Sequence, residues 1–149
     1  MDVSKAKIKI IIKEIAENHD CGMNAFIHKH TLKTIFIPSE FNYDLGDYEE
    51  FYQNDLKEIE ENFHFILKLE PPNSTQSFSI METFTNNLFD GQLKNSLINA
   101  INRRRPFANF NHIIHNSESK EDWFKHKTRE LEKRVKLELE HKLPGHNKR

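Results

Sequence analysis

Three arginines run directly into a proline at Arg103-Arg104-Arg105-Pro106, and they are the residues of this chain best suited to holding an anion. A guanidinium presents a planar fork of donors that matches phosphate or carboxylate, and three in a row concentrate positive charge at one point. Arg103 and Arg104 also follow a helical pattern, where cations complement the macrodipole. That helix-end role, with salt bridges to the acidic first part of the chain, accounts for them without a ligand. It predicts lost thermal stability when the three are changed to alanine. A nucleic-acid surface requires a wider basic stripe with exposed stacking aromatics. Phe107 and Phe110 instead have helical spacing and are assigned to the core.

Nine histidines raise metal chemistry as an alternative. His28 and His30 are two apart in a strand pattern and share a face, and His64 falls on a strand that can neighbour theirs. These three are the candidate metal set of a metal-dependent hydrolase. His112 and His115, three apart on a helix, share a face as well. Zinc needs three or four convergent ligands and partners that fix each ring, and no H-E-x-x-H spacing occurs. Surface or internally bonded histidines are the simpler reading, and no cofactor is assigned. Asp44, Asp47, Glu49 and Glu50 cluster near Gly46 without the twelve-residue calcium-loop pattern. Glu82 and Asp90 act as a carboxylate pair only if the fold joins them. Cys21 precedes Gly22 at the C-terminal end of a helical pattern, a place that does not activate a thiolate.

With no nucleophile, base or cofactor motif, the expectation is a non-enzymatic binding or regulatory module with an unknown protein or anionic partner. A nucleic-acid-binding protein using the basic last third and the histidine hydrolase are the alternatives. A long final helix offers a surface for a homo-oligomer.

The 149 residues imply one domain, read as residues 1–143 followed by a flexible tail at 144–149. Twelve phenylalanines and one tryptophan supply bulky core material. One cysteine excludes an internal disulfide framework and fits a reducing compartment. The start of the chain is acidic and its isoleucine run is broken by Lys9, so neither a secretory leader nor a membrane span is expected; the placement is cytoplasmic. The overall charge of −1 hides an asymmetry: up to Ile101 there are 9 basic against 16 acidic residues, and beyond it 13 against 7. Such a split marks either a basic binding surface or two parts that attract one another.

The elements that must position these residues follow from hydrophobic period. Ile8, Ile11, Ile12 and Ile15 define a helix over about 4–19. Residues 24–38 divide around His30-Thr31-Leu32-Lys33 into a hairpin whose turn lacks glycine and asparagine. Ser39 to Gly46 reads as a loop. Tyr48, Tyr52, Leu56, Ile59 and Phe63 line an acidic amphipathic helix. The period then switches to two from Phe63 to Glu70, a third strand stopped by Pro71-Pro72. Asn73 or Ser74 caps a helix carrying Met81 and Phe84. Leu93, Leu97, Ala100 and Ile101 define the next helix, and Phe107, Phe110, Ile113 and Ile114 a short one. The last and longest helix starts at Ser119 and presents Phe124, Leu131, Val135 and Leu139. Three strands and five or six helices without βαβ alternation give an α+β class: a small antiparallel sheet with a helix-rich C-terminal half.

The residues Ile35-Phe36-Ile37-Pro38, Phe65 to Leu69, and a helix entered at Ser74 with Phe78, Met81 and Phe84 carry a resemblance. Its most specific part is Leu97, Ala100-Ile101, Pro106-Phe107, Phe110 and Trp123-Phe124. On these the chain resembles a bacterial family catalogued as uncharacterised protein family 158. That family usually has a glycine shortly before the small-residue-plus-phenylalanine pair, where this chain has Asn102 and Arg103 to Arg105. The resemblance implies a small bacterial cytosolic protein with no assigned activity, and it carries no catalytic residue across.

Overall fold

The computed structural model describes residues 2–39 and 50–143, which form six helices and a three-stranded antiparallel sheet of α+β class. The elements are α1 (Asp2–Asp20), β1 (Met23–His28), β2 (Thr34–Pro38), α2 (Gln53–Glu61), a 3₁₀ turn (Phe63–Phe65), β3 (Ile66–Leu69), α3 (Ser74–Asn86), α4 (Gln92–Ile101), α5 (Pro106–His115) and α6 (Lys120–Lys142). The expected loop at 39–46 and tail at 144–149 lie, apart from Ser39, outside the described residues, as do Asp44, Asp47 and Glu49. The chain divides into two compact units: Met1–Pro71 with Leu131–Arg149, and Pro72–Glu130.

In the first unit the strand order is β2-β1-β3. The register pairs Ala25 with Phe36 and Leu69, and Phe26 with Ile35 and Lys68. Alternation therefore sends Ala25, Ile27 and Leu69 to one face and Ile35 and Ile37 to the other. All five are buried, so both faces of the sheet are covered. Helix α1 packs against β1 and buries Ile11, Ile15 and Ala16, one stripe of the isoleucine pattern. It ends at Gly22, whose φ of 80° is the left-handed backbone that closes a helix without a Cβ penalty. Leu131, Val135, Leu139 and Leu143 complete the buried set of this unit.

Three sequence expectations change here. The third strand starts at Ile66 rather than Phe63, because Phe63–Phe65 closes as a 3₁₀ turn through the Phe65 N–H to Asn62 O bond of 2.8 Å. The stripe ending in Phe63 is not a core face: α2 buries no residue and Phe63 is 71% exposed. The hairpin turn solves its lack of glycine with a histidine. His28 Nδ1 accepts from the N–H groups of His30 and Thr31 at 3.1 and 3.2 Å, and Leu32 takes the positive φ, 66°.

The second unit is built on aromatic rings. Asn73 opens α3 through a capping box: its side chain accepts from Gln76 N–H at 2.8 Å, and Gln76 Oε1 accepts from Asn73 N–H at 2.9 Å. Helices α3, α4 and α5 and the first part of α6 enclose Met81, Phe84, Leu97, Ile101, Phe110, Ile114 and Trp123. Phe110 meets Trp123 edge-on at 4.8 Å between centroids and Phe84 meets Trp123 at 5.3 Å. Each such pair adds about 0.5–1.5 kcal/mol beyond the area it buries. On α6 the stripe runs through Trp123 and His126 to Leu131, with Phe124 half-buried at its flank.

His19 ties the end of α1 to the sheet. Its Nε2–H donates to Leu69 O at 3.0 Å, and its buried Nδ1 has no partner. Burial pushes its pKa below the ordinary value, outweighing the carbonyl bond; Arg134 lowers it further and Glu138 opposes. The unfolded chain therefore binds this proton more readily than the folded one, so stability rises with pH through this window. The contribution of His19 is complete above the ordinary imidazole pKa of about 6.5 and is lost as pH falls below it. The melting temperature should drop between about pH 7.5 and pH 5.5, by roughly 2–4 °C for each kcal/mol. In His19→Gln, which keeps a donor for Leu69 O, the drop measured by circular dichroism should be smaller.

Candidate functional site

Helices α4 and α5 form the corner that carries the arginines. Leu97, Ala100, Ile101, Phe110 and Ile114 are buried, so the two helices bury their apolar stripes and leave the opposite faces open. Asn102 closes α4, its Nδ2 donating to Ile98 O at 2.9 Å. Pro106 sits at the first position of α5, where a missing N–H costs nothing. Between them Arg105 is the N-cap with φ 55° and ψ 54°, a left-handed backbone. The following proline disfavours the right-handed α region at this position, and the corner is too tight for extended chain. Asn109 pins the turn from the far side, donating through Nδ2 to Arg104 O at 2.8 Å, and its N–H reaches Arg105 O at 3.0 Å.

Arg103, Arg104 and Arg105 are all exposed, and among the described residues none makes an ion pair. The salt bridges expected for them are absent there, because the corner turns all three side chains outward. The helix-end role is taken by other groups: Asn102 and the Arg103 N–H, the latter on Ala100 O at 3.4 Å, serve the last carbonyls of α4. Phe107, assigned to the core, is 36% exposed at the start of α5, while Phe110 is fully buried.

Beside the corner, α4 and α5 enclose an open cleft of about 280 Å³. Ser96, Asn99 and Arg103 line it from α4 and Asn109 and His112 from α5, above a floor of Ala100 and Ile113. Ser96, Asn99 and Arg103 are spaced i, i+3, i+7, so one helical stripe presents all three. That polar stripe was legible in the sequence and was passed over because uncharged residues on a helix draw no attention. The lining offers a hydroxyl, two amides, an imidazole and one guanidinium, and no carboxylate. Arg104 and Arg105 are not part of it.

The histidines do not assemble in this way. Among the described residues no three His, Cys, Asp or Glu side chains form a group that could hold a metal ion. His28 and His30 do come together, with ring centroids 5.8 Å apart, but against Phe65, which stacks on His28 at 5.7 Å. His30 lies in the turn rather than on the strand, and His64 leans on Phe63 from the 3₁₀ turn. With Nδ1 accepting two backbone N–H groups, His28 carries its proton on Nε2. Ligation by either nitrogen would break the turn. His115 packs against Phe124 at 5.7 Å, and Asp90 lies 3.4 Å from Lys94.

Residues 5–142 match the Uncharacterised protein family UPF0158. The chain belongs to that family. No curated protein and no solved structure matches it. The residues that carried the resemblance to UPF0158 are structural here: Leu97, Ala100, Ile101, Phe110 and Trp123 are buried, and Pro106 starts α5. Arg105 holds a backbone that glycine adopts freely.

Left-handed backbone costs an ordinary residue about 1–2 kcal/mol, part of which glycine returns through its freer unfolded state. Arg105→Gly should therefore raise stability by up to about 1 kcal/mol, read as a higher urea midpoint at unchanged slope. Arg105→Val, β-branched at the same φ, should lower it.

Proposed function

We propose that this protein is a non-enzymatic binding module that holds a small anion, or an anionic group of a partner, in the α4–α5 cleft. One observation carries the reading: a cleft lined by donors and without any carboxylate, in which the Arg103 guanidinium has no ion-pair partner among the described residues. A guanidinium left open to water beside hydroxyl and amide donors gives a bidentate site for phosphate or carboxylate, with Asn99 and Asn109 positioned to complete its hydrogen bonding. Arg104 and Arg105 raise the local potential and speed capture without touching the ligand. A reducing, cytoplasmic setting is our reading of the single, exposed Cys21. No helix among the described residues is long and apolar enough to cross a membrane. Self-association through α6 has slender support, since Leu137 is its one exposed large apolar side chain among the described residues.

Titration with inorganic phosphate and with a nucleoside monophosphate should give saturable binding by calorimetry, abolished in Arg103→Ala. Changing all three arginines to alanine should leave the melting temperature nearly unchanged, as exposed substitutions cost within about 0.5 kcal/mol. A gel shift that survives in wild type at moderate salt, with a salt slope reduced by about three in the triple variant, would transfer the site to nucleic acid. Loss of stability without any loss of anion binding would overturn the reading.

We also infer that residues 1–143 unfold as one domain. Supporting this, the first unit is discontinuous in sequence and draws on residues 131–143, while α6 runs unbroken from one unit into the other. Trp123 is the sole tryptophan and lies in the second unit, whereas far-UV circular dichroism reports both. The fluorescence and circular-dichroism transitions in urea should coincide.

A further inference from the structure

A second open cleft, also about 280 Å³, lies between the end of α3 and the first turns of α6, and its chemistry differs from that of the arginine corner. Phe84 and Leu88 give it an apolar wall, and Asp122, Lys125, His126 and Arg129 give it charge and an imidazole. These four are spaced i, i+3, i+4 and i+7 along α6, so one helical stripe presents them together.

The charges of that stripe have no account within the fold. Asp122, Lys125 and Arg129 face one cleft, yet among the described residues none of them reaches an ion-pair partner, not even one another. Lys125 and Arg129 are moreover like charges four apart, an arrangement that destabilises a helix by a few tenths of a kcal/mol. His126 lies on the same stripe and is buried, with its ring stacked on Trp123 at 6.1 Å and tilted on Phe84 at 5.5 Å. Its Nε2 lies 3.1 Å from Ile80 O, and because a carbonyl only accepts, Nε2 carries a proton.

We propose that this cleft binds a free α-amino acid with an apolar side chain. Lys125 and Arg129 hold the carboxylate, which relieves their mutual repulsion. Asp122 holds the ammonium group. Phe84 and Leu88 cover the side chain. The site is separate from the α4–α5 cleft, and each can fail without the other.

Calorimetry on the full chain with free L-leucine and L-phenylalanine tests it. Each should bind and raise the melting temperature. N-acetyl-L-leucine, without the ammonium, and L-leucinamide, without the carboxylate, should each bind at least about tenfold more weakly, a loss of about 1.4 kcal/mol. Asp122→Asn, an exposed position, should weaken leucine about tenfold and leave N-acetyl-leucine unchanged; Arg129→Ala should weaken both. Absence of heat and of thermal shift with either free amino acid at about 10 mM overturns the proposal. Equal affinity for leucine and N-acetyl-leucine overturns it as well, since the site would then read only a carboxylate. Both comparisons between ligands use the unaltered protein and do not depend on a variant folding.

Discussion

The period of α6 is the constraint on which the rest of this structure depends. Trp123, His126, Leu131, Val135 and Leu139 form a stripe of buried positions that winds around α6, and Leu143 is buried just beyond its end. The aromatic end of the stripe belongs to the cluster of Phe84 and Phe110, and the aliphatic end to the unit that contains the sheet. A one-residue shift of this stripe would put Phe124 where Trp123 sits and lysines or glutamates where the leucines sit. Packing at crystal-like density does not absorb such a change. The cleft-lining residues of α6 are Asp122, Lys125 and Arg129 beside the buried His126.

The arginine corner follows the same division of labour. Helices α4 and α5 turn back on one another within four residues, and the turn is held by Asn102, Asn109 and Pro106 rather than by the arginines themselves. The charged side chains are free of structural duty because amides and a proline perform it. Backbone strain is the cost, concentrated at Arg105. The chain keeps a guanidinium at Arg105 in a conformation that disfavours any Cβ.

Membership of UPF0158 is shown over residues 5–142 and assigns no chemistry. The polar residues that line the two clefts are a different set from the buried Leu97, Phe110 and Trp123, drawn from the opposite faces of the same helices. Histidine behaves in the same divided fashion. His19, His28 and His126 each spend a ring nitrogen on a backbone partner, and in doing so hold a helix end, a hairpin turn and a helix pair. The abundance of histidine that suggests a metal in the sequence thus serves backbone satisfaction in the fold.

The sequence alone determined the helices, the hairpin, the antiparallel α+β class and much of the core, because hydrophobic period and cap chemistry are local and survive in one dimension. It indicated a tight corner at the arginines as well, through Pro106 and the stripes on either side. It misplaced the start of β3 and the burial of Phe63, where alternating aromatics imitate a strand while the backbone closes a 3₁₀ turn. Only the tertiary structure decided that the arginines lack salt bridges among the described residues, that His28 and His30 stack on Phe65 instead of converging with His64, and that Ser96, Asn99, Asn109 and His112 share a cleft with Arg103. The physical reason is one of range. A stripe is fixed by spacing along a single helix, but a cleft or an ion pair depends on distances between groups on different helices, and no local period encodes those.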